Sequence, residues 1–201
     1  MRVITGTARG RVLKTLEGDD VRPTTDRVKE AIFSIIQFEI EGRQVLDLFA
    51  GSGQLGIEAL SRGAAYATFT DMNKDAVNIV KQNLLSTGLH RNSAVLQTDA
   101  ITFLKNSKKK FDIIFMDPPY SKGILQEALP YAAECTNDGG VIICEHPFGE
   151  EMPQNVGRFS IYREYKYSKV AITVYRIREG ESEEWPLQSA RAALTRLPTD
   201  T

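Results

Sequence analysis

The chain has 201 residues, 42% of them apolar and 25% charged, with a formal net charge of −1. That length suits one domain with a sizeable core and leaves little room for a second, and the charge excludes a protein coated in positive residues. No apolar run approaches the span of a bilayer, no signal-peptide core opens the chain, and two cysteines, Cys135 and Cys144, are too few for a disulfide framework and lack metal-ligand spacing, so a cytoplasmic protein without a metal is expected.

In chain order, residues 1 to 16 carry Arg2, Arg9, Arg11 and Lys14 and no acid, and segments 2–6 and 11–15 read as a hairpin around a Thr-Ala-Arg-Gly turn. Pro23 then interrupts the chain, Thr24 or Thr25 is placed to cap a helix, and Val28, Ile32, Ile35, Ile36 and Ile40 recur at helical spacing through about Glu39. From Gln44 strands alternate with helices. Strands are expected over 45–49, 67–70, 94–97, 111–116 and 141–144, and helices over 54–61, 74–86 (capped by Asn73) and 124–135 despite Pro130. Such alternation implies a mostly parallel sheet covered on both faces. Segments 158–167 and 169–177 alternate without a helix between them, so an antiparallel pair should close one sheet edge. The expected organisation is one structural domain: a basic hairpin and helix over 1–42, a core over 43–180 and a tail over 181–201.

Val-Leu-Asp-Leu-Phe-Ala-Gly-Ser-Gly-Gln-Leu-Gly, residues 45–56, runs a strand into a glycine turn and a helix, where open parallel sheets bind ligands. Gly51 and Gly53 let the backbone bend and approach a ligand closely. A dinucleotide loop has similar glycines, but Asp47 inside the strand would repel a pyrophosphate and suits a cofactor with a cationic amino-acid end. Asp71 ends the second strand, where a carboxylate accepts from ribose hydroxyls, and Asp99 follows the third, with Ala100 offering a backbone donor. Any one of these acids could be a helix cap. Three at successive strand ends, with Phe49 and Met72 beside them, read as an S-adenosylmethionine site.

Phe-Asp-Ile-Ile-Phe-Met-Asp-Pro-Pro-Tyr, residues 111–120, delivers Asp117 to a strand end, and Pro118 and Pro119 stiffen the backbone beyond it. The chemistry calls for this arrangement. An exocyclic amine on a base is a poor nucleophile because its lone pair is delocalised into the ring. Acceptors at Asp117 and the Pro118 carbonyl would turn that lone pair towards a methyl donor, and Tyr120 would stack on the base. His146 reads as a structural histidine and His90 as a surface residue.

With Arg-Pro-Thr-Thr-Asp-Arg-Val-Lys-Glu at 22–30, Leu-Asp-Leu-Phe-Ala-Gly-Ser-Gly at 46–53, Leu-Gly-Ile-Glu-Ala-Leu-Ser-Arg at 55–62 and Asp-Pro-Pro-Tyr, the chain resembles the RsmD family of bacterial ribosomal RNA methyltransferases from about Arg2 to Arg178. The resemblance implies a Rossmann-like seven-stranded methyltransferase sheet, S-adenosylmethionine as methyl donor, and N2 of a guanine in small-subunit ribosomal RNA or an assembly particle as target. It also implies that Thr25 and Arg27 help close the pocket. The acid-free basic run of Arg2, Arg9, Arg11 and Lys14 is expected to lie as one patch beside the pocket mouth and grip phosphates around the target base, with Arg22, Thr25 and Arg27 also touching RNA. A monomer that binds neither membrane nor metal is expected. Competing readings are a DNA adenine or cytosine amino-methyltransferase, which shares Asp-Pro-Pro-Tyr, a small-molecule methyltransferase, and a noncatalytic RNA-binding module. An NAD-dependent oxidoreductase is disfavoured by Asp47.

Overall fold

Alternation of apolar residues sends side chains to opposite faces of each strand, and both faces here need covering. In the computed structural model, which describes residues 1–16, 26–119 and 123–177, strands β1 (Gln44–Asp47), β2 (Tyr66–Asp71), β3 (Ser93–Gln97), β4 (Phe111–Met116), β5 (Thr136–Pro147), β6 (Asn155–Val156), β7 (Phe159–Tyr167) and β8 (Val170–Ile177) form one sheet. Their order is β3-β2-β1-β4-β5-β8-β7-β6. The first five run parallel, and β8, β7 and β6 add on antiparallel beyond β5.

Helices α1 (Asp26–Ile35), α2 (Gln54–Ser61) and α3 (Lys74–Thr87) cover one face, and α4 (Ala100–Asn106) and α5 (Ile124–Glu134) the other. Val45, Phe69, Ile113, Phe115 and Ile143 pack towards the first group, while Leu46, Ile114, Met116, Ile142 and Cys144 pack towards the second. Each such large side chain contributes about 1.5–3 kcal/mol on burial. Helix α2 lies close on β2 because residue 56 is glycine: a Cβ there would stand 2.3 Å from the Phe69 ring. Both cysteines are free and buried.

Several expectations change. The sheet has eight strands rather than seven, because Gly157 (φ 57) turns the chain tightly enough for Asn155 and Val156 to pair with β7. The opening hairpin is held by one isolated bridge, Arg2 to Val12, because side chains from α2 take the Ile4 and Thr5 amides that a ladder would use. Helix α1 stops at Ile35 instead of about Glu39, and Glu39 instead takes both guanidinium nitrogens of Arg176 at 2.7 and 2.9 Å. The α4 helix had no expectation behind it, since its seven residues are too few to show a period. Thr24 and Thr25, as caps, and the tail over 181–201 lie outside the described residues. Among the described residues no helix is long and apolar enough to cross a membrane, and no cluster of His, Cys, Asp and Glu is grouped to hold a metal ion.

Candidate active site

The carboxyl ends of β1, β2 and β4 bring three carboxylates together. Asp47 is 2% exposed, and its Oδ2 accepts the Gly56 N–H at 2.9 Å. Burial pushes its carboxyl up to about 8; the Gly56 N–H acts the other way, and the charges of Asp117 and Asp71 push it further up. That mutual influence puts the glycine-loop strand, the second strand and Asp-Pro-Pro in one electrostatic neighbourhood.

Asp71 straps the turn in place. Its Oδ2 accepts the Gly51 N–H at 2.9 Å and its Oδ1 the Asn73 N–H at 2.8 Å, while Asn73 caps α3 through the Asp75 N–H. The two loop glycines differ. Gly51 has φ 53, and a Cβ there would meet nothing within 4 Å, so its backbone faces open space. Gly53, at φ 77, caps α2 and would press a Cβ to 3.2 Å from Val80, so packing as well as conformation demands glycine there. Phe49 is half-buried against the α4–α5 layer. Met72 stands 73% exposed just past Asp71. Asp99 caps α4 by accepting the Thr102 N–H at 2.8 Å, and that bond, first among several to backbone N–H groups, holds its carboxyl below the usual range. Ala100 begins that helix and is buried.

These residues fit an adenosyl cofactor with a cationic amino-acid end. The Gly51 backbone is open to close approach, Asp71 is half-exposed at its strand end, Met72 offers an uncovered apolar side chain, and Asp99 leaves a carboxylate at the surface.

Asp117 follows the Met116–Cys144 pair of β4 and β5, and by strand alternation it shares the face of Phe115 and Asp47. Pro118 is buried and Pro119 exposed. Tyr120, Arg22 and Thr25 lie outside the described residues. Arg27 is exposed on the first turn of α1.

The N-terminal arm is positioned by residues the sequence did not single out as functional. Glu58, fully buried in α2, accepts the Ile4 and Thr5 N–H groups at 2.8 and 2.9 Å and pairs with Arg62 at 2.8 Å and Lys29 at 3.7 Å. Lys29 in turn donates to the Arg2 carbonyl at 2.6 Å. Buried Asn83 accepts the Lys14 N–H and donates to the carbonyls of Lys14 and Ser52, each at 2.8–2.9 Å, joining the arm to the glycine loop. The Gly6–Gly10 turn instead bonds Ser61, the last residue of α2. Because α2 runs back along the sheet for about 10 Å from the glycine loop, Arg9 stands at the far end of that helix. Lys14, by contrast, lies against Asn83 and Gln82 of α3 beside the glycine loop, so Arg9 and Lys14 are held at opposite ends of the arm. A carboxylate inside an otherwise apolar helix was the readable signal for Glu58; nothing local marked Asn83.

His146 is buried and structural, with Nε2 2.7 Å from the Thr173 hydroxyl and Nδ1 3.1 Å from the Pro147 carbonyl. A polar hollow of about 480 Å³ opens at the opposite end of the sheet, lined by Lys110, Asp112, Asn137, Asp138 and Arg158 among others. Arg158 there is tied to Asp138 and Asn137 to Asp112, so the hollow reads as solvated surface.

Residues 1–176 match the family model described as Conserved hypothetical protein 95. Bacillus subtilis YlbH is 40% identical over 183 residues, covering 89% of this chain and all of that one. Ribosomal RNA small subunit methyltransferase D of Escherichia coli is 36% identical over 186 residues, covering 91% of this chain and 93% of that one. The solved structure of Escherichia coli yhhF superposes with a TM-score of 0.80 at 35% identity, covering 89% and 98% of the two chains.

Proposed function

We propose a specific reaction from one premise: this chain belongs to the Conserved hypothetical protein 95 family, the RsmD-like ribosomal RNA methyltransferases. It is an S-adenosylmethionine-dependent ribosomal RNA methyltransferase, and the atom we assign as its target is N2 of a guanine in small-subunit RNA. The observation that carries the assignment is the approach of Asp47, Asp71 and Asp117 at adjacent strand ends beside an open glycine loop.

S-adenosylmethionine, when bound, supplies an electrophilic methyl group on a sulfonium. Gly51, Asp71, Met72 and Asp99 are the residues that would hold it, with Asp47 beneath the loop matched to its ammonium end. The remaining work falls to the chain. Asp117 accepts one N–H of the exocyclic amine and the Pro118 carbonyl the other, which draws the nitrogen towards tetrahedral geometry and frees its lone pair. As positive charge builds on nitrogen, the Asp117 carboxylate stabilises it without reorganising. Buried Pro118 fixes the acceptor carbonyl, and the rigid dipeptide keeps both acceptors in register. A guanine amine inside a helix is out of reach, so the target nucleotide must leave its stack to enter. The reading extends to a monomer acting in the cytoplasm on ribosomal RNA or a small-subunit assembly particle.

The test supplies labelled S-adenosylmethionine with naked ribosomal RNA, ribosomal particles and DNA, followed by identification of the modified nucleoside. N2-methylguanosine from ribosomal RNA is the expected product, and methyladenine or methylcytosine in DNA refutes the assignment. Asp117→Ala should keep S-adenosylhomocysteine affinity and lose at least about a hundredfold in methyl transfer, the scale for removing one preorganised transition-state group. Single-turnover rates within a few fold of the parent would remove Asp117 from the chemistry.

A further inference from the structure

Beyond the arm, a second surface stands at the same end of the sheet as Asp117. Strand β5 lies beside β4, and past its end Pro147 leads to Phe148. Phe148 is 53% exposed, and among the described residues it is the exposed aromatic at this end; Tyr162 and Phe38 lie near Arg176 and Glu39, towards the other end.

The neighbouring hairpin fixes Phe148 in place. Strands β7 and β8 meet in a two-residue turn, Ser168–Lys169, between paired Tyr167 and Val170. Val170 also pairs with Pro147, which brings the turn to the carboxyl end of the parallel strands. Ser168 takes the left-handed conformation that such tight hairpins require (φ 55). The Phe148 N–H donates to the Lys169 carbonyl at 2.9 Å. Lys166 lies on the rung of Ala171 and His146, and its Nζ sits 5.1 Å from the Phe148 ring centroid.

An exposed ring on a held backbone, with an ammonium at 5.1 Å and a second lysine on the turn, matches a nucleotide: a flat face for a base and cations for its phosphates. Two of the nearby acids already have partners, Glu164 and Glu151 being exposed and Glu150 half-buried. Glu150 accepts from the Gln126 amide and Glu164 from the Thr173 hydroxyl.

We propose that Phe148, Lys166 and Lys169 form a second RNA contact, in which Phe148 stacks on a base flanking the target nucleotide and the two lysines hold its phosphates. The proposal rests on the ribosomal RNA methyltransferase reading above. It also accounts for how RNA is gripped at the catalytic end when Arg9 stands a helix length away.

The experiment compares parent, Phe148→Ala, Phe148→Trp and Lys166→Gln/Lys169→Gln for methylation of naked ribosomal RNA and of particles. It also measures RNA affinity across salt concentrations, S-adenosylhomocysteine affinity and thermal midpoint. Phe148→Ala should raise KM for RNA by about tenfold, with Phe148→Trp restoring it, because stacking depends on the ring and not on the phenyl itself. The double lysine variant should flatten the log–log salt slope by roughly two units. Cofactor affinity and thermal midpoint should stay near the parent's. An unchanged KM with an unchanged slope overturns the proposal. So does a loss seen on particles but not on naked RNA, which would make the surface a contact for a protein. A parent that methylates no RNA overturns the methyltransferase reading along with it, whereas an active parent with indifferent variants sinks this contact alone.

Discussion

With Asp47 beside the cofactor's ammonium end, as proposed, cofactor binding should release protons. In the free protein burial pushes its carboxyl up to about 8, so at pH 6.5 the group carries a proton. A cofactor ammonium beside the loop favours the ionised form, and an opposite charge at close range lowers a carboxyl pKa by about 1–3 units. From a free value of about 8, a drop of three units releases about 0.9 proton per site at pH 6.5 and a drop of one unit about 0.2. The sign follows from which form holds the proton. The free protein binds it and the complex does not, so affinity climbs as pH rises towards 8 and levels off above it. Calorimetry of S-adenosylhomocysteine binding in buffers of different ionisation enthalpy counts the protons directly. Asp47→Asn, which keeps shape and cannot ionise, should abolish the count at every pH. Without ligand the raised group also makes the folded state lose stability as pH rises from about 4 to about 8, since there the folded form binds the extra proton. The Asn variant should lack that slope. A binding heat independent of buffer at pH 6.5 in the parent would refute the placement of a cationic group near Asp47.

Asp71→Ala should weaken S-adenosylhomocysteine binding by at least about tenfold, since hydrogen bonds to a charged group are worth about 1.5–3 kcal/mol each; calorimetry on the folded variant decides it. Asn83→Ala removes the bonds to Lys14 and Ser52 and leaves buried backbone groups unpaired, so it should cost about 1–3 kcal/mol in denaturant unfolding and loosen cofactor binding. Lost stability with unchanged cofactor affinity would limit Asn83 to anchoring the arm. Cys135 and Cys144 should resist alkylation at neutral pH until the protein is denatured, because burial pushes both thiols up. Labelling of either in the native protein within minutes would contradict this.

Strand ends were legible in the sequence because short apolar runs stop at glycine, aspartate or proline, and β4 runs from Phe111 to Met116 as the pattern predicts. Helices α2 and α3 were readable for the same reason, Asn73 being the cap expected. What sequence could not give was contact across long separations. Glu58 and Asn83 reach residues 53 to 69 positions away, and no local period encodes such a partner. The basic run at the N-terminus was read as one patch because adjacency in sequence suggests adjacency in space. The arm instead reaches from the glycine loop, where Lys14 is held, to the end of α2, where the turn bearing Arg9 is held. In β5 the apolar run 141–144 was only the centre of a strand reaching from Thr136 to Pro147, since Thr136, Glu145 and His146 are polar residues buried on rungs with neighbouring strands and carry no apolar signal.

Docking the arm through side chains of α2 has a consequence for how the molecule assembles. The amides of Ile4, Thr5 and Ala8 end on Glu58 and Ser61 oxygens, not on a neighbouring strand, so they become protected only once α2 is formed and the arm has closed onto it. Their partners lie more than fifty residues downstream, which makes this closure a late, long-range step in folding. Deuterium exchange at those three amides therefore acts as a separate clock from exchange in the sheet. Exchange at those amides faster than in the parallel strands would show the arm lifting away from α2 while the sheet stays intact.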